Sequence, residues 1–540
     1  MKRKLLFAAL AGLTLFLFFF RLGERSFRNP DEGRYAEIAR EMVVSGDWIE
    51  PHLYGLDYLR KPALFYWLVA GSFKLFGRGE FAARAVPALF GLFGVVATWL
   101  FARRYFGARA AAFAALILAT NVWYVEVGRY LLIDAVFGFF LTAAFFSFYA
   151  AWREGGRRFW LAFYAFVGLA FLAKGVAAVA IPALAVLGYF IWTRRLKEGI
   201  SRSFSPAGIL LFLAIVLPWF VAISVRESEF LNFFFLHEHV TRYLSKDFEH
   251  QEPWFFYLAL LPAVFFPWVF FWAPVKKGFA EKGPAGFLAA VFCAVVGFYS
   301  LSRSKLATYL VPAIPPAAVL LGSGWAAWTE REGDARPGRG TVLALGSGLA
   351  ALAGAVFVVY APWGPHLSRK VPAPEWILLI LLSAAAEFAV LLFLVRRGTR
   401  KAVFFSIIGF LSAASVLVAF AMESENEKYT TKHFAEILRP KLDRGQEVYL
   451  HGQPGAFYDF AFYLDRPVKL IGLDGELVFN EGEEETKTAV VTPKEWESLL
   501  ADRQIFTLMR RSDYTALDPA VRNLTTVLAE DERKVLVSSR

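Results

Sequence analysis

The stretch Leu132-Ile-Asp-Ala-Val-Phe-Gly-Phe-Phe-Leu-Thr-Ala-Ala-Phe-Phe-Ser-Phe-Tyr-Ala-Ala151 decides the fold, because it carries a single charge, Asp134, in an otherwise apolar run. A helix of about 20 such residues is what crosses the hydrocarbon core of a bilayer. Working outward, similar runs fall at 4–21, 82–102, 110–127, 159–173, 176–193, 207–225, 253–274, 285–301, 306–328, 340–361, 375–395 and 402–422. With 132–151 they make about thirteen candidate spans. The whole chain of 540 residues is 57% hydrophobic, 17% aromatic and 19% charged, too apolar for an ordinary soluble enzyme. Its net charge of +11 sits in short Lys/Arg clusters between apolar runs, which argues for membrane topology and against nucleic acid. Cys293 is the sole cysteine, so no disulfide staples any part of the chain.

The basic clusters test the count, since a missed helix would swap the sides of every later loop. With Lys2-Arg3-Lys4 on the cytoplasmic side, the groups Arg103/Arg104/Arg109, Arg153/Arg157/Arg158, Arg194/Arg195/Lys197, Lys276/Lys277, Arg331/Arg336/Arg339 and Arg396/Arg397/Lys401 all fall there too. The first run is read as a retained helix, because Arg21-Leu22-Gly23-Glu24-Arg25 offers no small-residue cleavage site. The expectation is a membrane part over 1–422, with segment 22–81 as its first outer loop and with 226–252 also outside. The tail 423–540 has ordinary polarity and strand-like runs at 447–450, 468–471 and 488–491, alternating with helical stretches near 430–442 and 494–502. A small extracytoplasmic α/β domain is expected there.

In the first outer loop Tyr35, Ile38, Ala39 and Met42 recur at helical spacing with charges between them, which reads as an interfacial helix. Asn29-Pro30-Asp31-Glu32 fits its start, with Asn29 as the cap. Asp31 and Glu32 then have two readings: acids that offset the helix dipole, or groups that orient or deprotonate an acceptor or bind a metal. Lys61 is either a snorkelling lysine or a cation that holds a phosphate. Asp134 dips into a span at a cost of about 2.5 kcal/mol or more, so it needs a partner, for which Arg129 is the near candidate, or a task. His237-Glu238-His239 lacks the i, i+4 spacing of a helical zinc pair. Arg242 can grip a phosphate or sit at the interface. Ser302-Arg303-Ser304-Lys305, followed by Tyr309, places two cations outside against the usual charge bias, which favours a functional reading.

Together, Asn29-Pro-Asp-Glu-Gly-Arg-Tyr-Ala-Glu-Ile-Ala-Arg-Glu-Met42, Ser45-Gly-Asp-Trp48, Lys61-Pro62-x-Leu64-x-Tyr66-Trp67, Ala173-Lys-Gly175, Glu238-His239 with Arg242, Glu249-His250 with Pro253, and Ser304-Lys-Leu-Ala-Thr-Tyr-Leu-Val-Pro312 form a pattern. It resembles the aminoarabinose transferases that modify lipid A and their bacterial relatives in the protein O-mannosyltransferase superfamily. The resemblance implies a GT-C fold: a polytopic α-helical membrane protein with interfacial helices in its first outer loop and an outer α/β domain at the C-terminus. It implies catalytic roles for Asp31 and Asp134, and a carrier-phosphate site at Lys61, Arg242, Tyr58 and Tyr309. Weaker substrate contacts are implied at Glu32, Lys305 and His239. In that family a glutamate precedes the matching lysine and shares a metal with a histidine matching His237. This chain has Arg60 there, which puts that metal in doubt. A divalent metal is compatible with the sequence and not required by it.

The expected activity is therefore transfer of a sugar from a polyprenyl-phosphate carrier to lipid A or another envelope acceptor, at the outer face of a cytoplasmic (inner) membrane. Protein O-mannosyl transfer and galacturonic acid transfer to lipopolysaccharide core are the alternatives within the class. A flippase or transporter is the rival class, but it would gather polar groups near the midplane and show repeated halves, and here the charges gather in outer loops.

Overall fold

The computed structural model describes residues 2–241, 251–271, 282–330, 348, 374–443, 445–472 and 488–539. Among them, seven helices are long and apolar enough to cross a membrane: Glu80–Tyr105, Ile133–Glu154, Pro206–Arg226, Pro284–Leu301, Ala307–Glu330, Leu378–Arg396 and Arg400–Ser424. An eighth span results if Ala108–Ala119 and Val122–Arg129, bent by 58° at their junction, count as one. The chain is a multi-pass helical membrane protein. The run expected at 340–361, apart from residue 348, and the end of the run at 253–274 lie outside the described residues. The described part of the latter is a helix at Phe256–Val264 and a 3-10 turn at Trp268–Phe271.

The bend at Asn121 has a local cause. Its side-chain oxygen accepts the Tyr124 N–H at 2.9 Å, which starts a new helix, while its amide donates to the Val264 carbonyl at 2.7 Å. Two compact units are present: Met1–Arg21 with Pro87–Ala421, and Leu22–Val86 with Met422–Arg540.

In the first unit small residues let helices close on one another, as packing between membrane helices requires. A Cβ on Gly322 would stand 2.5 Å from the Ala114 amide nitrogen, and one on Gly138 would stand 2.7 Å from Val311 Cγ1. The second approach seats the 3-10 segment Ala307–Ala313 against the helix Ile133–Glu154.

In the second unit a hairpin pairs β1 (His52–Leu53) with β2 (Leu56–Asp57). Its turn residues Tyr54 and Gly55 have φ of 63° and 73°, the pair of positive values that a tight hairpin needs. The Glu41 carboxylate accepts both of their N–H groups, at 2.7 and 3.1 Å, which holds a tyrosine in a conformation it seldom adopts.

The same unit contains a six-stranded sheet of β3 (Val448–His451), β4 (Lys469–Ile471), β5 (Val490–Val491), β6 (Phe506–Arg510), β7 (Thr525–Glu530) and β8 (Lys534–Ser539). The order is β5-β4-β3-β6-β8-β7, parallel from β5 to β6 and antiparallel beyond. Tyr449, Ile471, Trp496, Leu500, Ile505, Met509, Val535 and Val537 form one face of its core. Helix Pro493–Asp502 starts at a capping box of Thr492 and Glu495 and buries Trp496, whose indole N–H donates to Thr507 Oγ1 at 3.0 Å. Tail strands match the three runs read from sequence, and β6, β7 and β8 are additional.

Candidate functional site

Asp31 opens helix Asp31–Ser45 and remains 40% exposed, with its Oδ1 2.5 Å from Arg34 Nη2. The Arg34 guanidinium lies 5.4, 5.9 and 5.7 Å from the ring centroids of Tyr35, Tyr58 and Tyr458. One arginine thus gathers Asp31 and Tyr58 into an aromatic surround, where an ionic contact is worth more than in open water. Lys61, half-buried, donates to the Arg60 carbonyl at 2.9 Å and sits just before helix Leu64–Phe76, which packs on the Asp31 helix.

The start of the Asp31 helix differs from the expected Asn29 cap. Pro30 occupies the cap position without a side-chain bond. Asn29 instead accepts the Asp459 N–H at 3.1 Å, donates to the Ala456 carbonyl at 3.1 Å, and bonds the Asp459 carboxylate. Asp459 is fully buried and also accepts from Thr430 Oγ1 at 2.7 Å, Thr431 Oγ1 at 2.7 Å and the Thr431 N–H at 2.8 Å. Burial pushes its carboxyl up against the pull of these donors. Tertiary partners have taken Asn29 away from its local task.

Glu32 is buried at 0% exposure. Its oxygens bind Arg84 at 2.8 Å each, Arg25 at 2.9 Å and the Arg28 N–H at 3.0 Å. This is a saturated ionic knot that fixes the turn before Asp31. The charged face expected on an interfacial helix is likewise enclosed, since Glu37 and Arg40 are buried and paired through two bonds of 2.7 and 2.8 Å. The two-bond pairing offsets the desolvation cost of burying both charges.

In the first unit Asp134 is buried and its Oδ1 lies 2.5 Å from Lys174 Nζ. Lys174, not Arg129, is its counter-charge. Arg129 donates instead to the Leu17 and Phe20 carbonyls at 2.6 and 2.7 Å. The Lys174 ammonium also sits 4.1 Å from the Tyr309 ring centroid. Asp134, Lys174 and Tyr309 are therefore one cluster, and Lys174 is the member that sequence reasoning missed, although its Ala173-Lys-Gly175 setting had been noticed. Lys305 is buried and donates to the Glu252 carbonyl at 2.7 Å and to the Ser302 carbonyl, so it braces a loop junction. His237 stacks on Phe233 with ring centroids 5.1 Å apart, and its Nδ1 lies 3.8 Å from Glu238 Oε1. Arg242 and the His239 side chain lie outside the described residues.

Comparison with known proteins adds to this geometry. The family model for dolichyl-phosphate-mannose-protein mannosyltransferase matches residues 60–221. The undecaprenyl phosphate-alpha-4-amino-4-deoxy-L-arabinose arabinosyl transferase of Pseudomonas paraeruginosa is 34% identical over 365 residues, covering 66% of each chain. The enzyme of the same name from Edwardsiella ictaluri is 36% identical over 365 residues, covering 66% of this chain and 65% of its own. The crystal structure of ArnT from Cupriavidus metallidurans bound to undecaprenyl phosphate superposes with a TM-score of 0.86 at 28% identity, covering 98% of this chain and 97% of that one. The chain has the GT-C fold and is similar to the aminoarabinose transferases. It spans slightly under two thirds of the length of these two curated relatives in sequence alignment.

For this GT-C protein the metal that the resemblance implies does not fit. A guanidinium at position 60 has five donors and no lone pair to offer a cation, so Arg60 cannot replace a carboxylate ligand.

Proposed function

We propose that the chain is an integral membrane glycosyltransferase that moves an aminoarabinose-like sugar from an undecaprenyl-phosphate carrier to lipid A. The observation that carries this reading is the near full-length likeness to the carrier-bound ArnT structure. The names of the curated relatives supply the donor sugar. Lipid A as acceptor, and the outer face of the cytoplasmic membrane as the place of reaction, follow from the motif resemblance and from the distribution of basic clusters in the sequence. The domain limits 1–422 and 423–540, with the latter outside, belong to the same reading.

In the proposed chemistry the anomeric carbon loses a lipid phosphate. That leaving group is already anionic, so fixed cations stabilise its departure better than a proton donor would. The motif resemblance gives this task to Lys61 and Arg242, and a place beside the phosphate to Tyr58 and Tyr309. Asp31 is exposed enough to meet an acceptor and is aimed by Arg34, so it orients the attacking oxygen. Asp134, paired with Lys174, takes its catalytic role from the motif resemblance alone. Glu32, enclosed by Arg84 and Arg25, holds Asp31 in place. Lys305 acts the same way on its loop, and His239 remains a weaker contact.

Mass spectrometry of lipid A from cells that lack their own aminoarabinose transferase tests the reading. Expression of this protein should add the mass of one aminoarabinose, and Lys61→Ala should abolish the increment. An unchanged lipid A profile with the donor present would refute the acceptor. The family match over residues 60–221 favours a second reading, hexose transfer to protein, which a glycoprotein gain in the same cells would establish.

A further inference from the structure

We propose that Glu50, His52 and Asp57 form a binding site for one divalent transition-metal ion, separate from the one the family resemblance implied. The hairpin register sets His52 directly opposite Asp57, where side chains of an antiparallel pair stand on one face. Glu50, two residues before His52, brings a second carboxylate to the same place. One ligand atom from each of the three lies within 4.8 Å of the other two. Ligands held at about 2.0–2.2 Å from a zinc ion are themselves roughly 3–4 Å apart, so a small closure brings all three onto one ion.

A second feature points the same way. Asp57 is only 5% exposed, and its Oδ1 has no aligned hydrogen-bond donor although His52 Nε2 is 3.1 Å away. Asp57 Oδ1 and His52 Nε2 face one point, where a metal ion would take the place of the proton they share. The backbone beneath is fixed before any ion arrives, since Glu41 locks the Tyr54-Gly55 turn. Two carboxylates and a neutral imidazole carry a charge of about −2, which a divalent ion cancels. The nitrogen ligand selects a transition ion such as Zn²⁺ over Mg²⁺ or Ca²⁺, and the lack of sulfur disfavours soft ions. Three protein ligands leave a coordination position open. Asp57 directly precedes Tyr58 and stands four residues before Lys61, so the ion would brace the strand that leads to the carrier-phosphate residues; this last step rests on the proposed function.

Calorimetric titration of the full-length protein in detergent, first stripped with a chelator, with Zn²⁺ alone tests the site without reference to activity. One equivalent should bind, and His52→Gln and Asp57→Asn should each weaken binding by at least about tenfold. Glu50→Gln, at the half-buried rim, should weaken it as well and guards against misfolding of the other two. His237→Ala should bind as the parent does. Absence of saturable Zn²⁺ binding, undiminished binding in all three hairpin variants, or loss confined to His237→Ala would each overturn the proposal. Loss of transfer with Zn²⁺ binding intact would bear on the proposed function alone.

Discussion

A carboxylate carried into an apolar helix needs a counter-charge, and Asp134 finds it in Lys174, forty positions along the chain, while the nearby Arg129 is spent on backbone carbonyls. The need for a partner was legible from Asp134 itself; its identity was not, because side-chain pairing between helices leaves no local pattern. Breaking one half of such a buried pair strands the other, at about 3–5 kcal/mol. Lys174→Met should therefore destabilise the protein by that amount, and Lys174→Met with Asp134→Leu should recover most of it in thermal melts. Glu32 and Arg84 should behave alike, with Arg84→Ala costing about 3–5 kcal/mol. Asp31 differs, because its pair with Arg34 is partly exposed and such pairs contribute about 1 kcal/mol or less. Asp31→Asn should leave the melting temperature nearly unchanged and abolish sugar transfer. Glu32 and Asp31 are adjacent in sequence, and their burial separates them: Glu32 is enclosed and ion-paired, whereas Asp31 is partly exposed, as the proposed role requires.

The hairpin of β1 and β2 shows what an element adds to its residues. Nothing in His52-Leu-Tyr-Gly-Leu-Asp57 announces that Glu41, thirteen residues before Tyr54 on another element, supplies the acceptor for both turn amides. Burial and the neighbouring Glu37 carboxylate push Glu41 up to about 8. A carboxyl whose folded pKa is raised keeps its proton in the folded state where the unfolded chain has lost it. Stability is then greatest below the unfolded value of 4.5 and declines as pH rises to about 8. Thermal melts across this window should show the decline in the parent and a flatter profile in Glu41→Gln. The start of the Asp31 helix was misread for a related reason: Asn29, Pro30 and Glu32 are good capping types, yet Asn29 bonds to Asp459, 430 residues away. In the tail, strands and helices were legible where hydrophobic alternation was strong, as at β3. Strand β8, buried at every position, carries little alternation and was not singled out.

At the scale of the molecule, apolar run length was sufficient to read a multi-pass helical protein, because a bilayer imposes that length on any spanning helix. The described residues contain seven such helices and a bent pair, and two of the expected runs fall wholly or partly outside them. The grouping of residues 22–86 with the tail was not legible, since it depends on contacts such as Tyr54 Oη to the Phe457 carbonyl across 403 residues. The ordered series of motifs, read as a resemblance, reached the family that the comparisons show. The departure at Arg60 bears on chemistry more than on fold, and under the proposed function it assigns leaving-group stabilisation to cationic side chains. The most direct test of this account is transfer by the purified protein from undecaprenyl-phosphate aminoarabinose to lipid A, followed by release of undecaprenyl phosphate. The account predicts stoichiometric release with modified lipid A, lost in Lys61→Ala and in Asp31→Asn while both variants melt as the parent does. Undiminished release from either variant, or none from the parent with every substrate present, would contradict it.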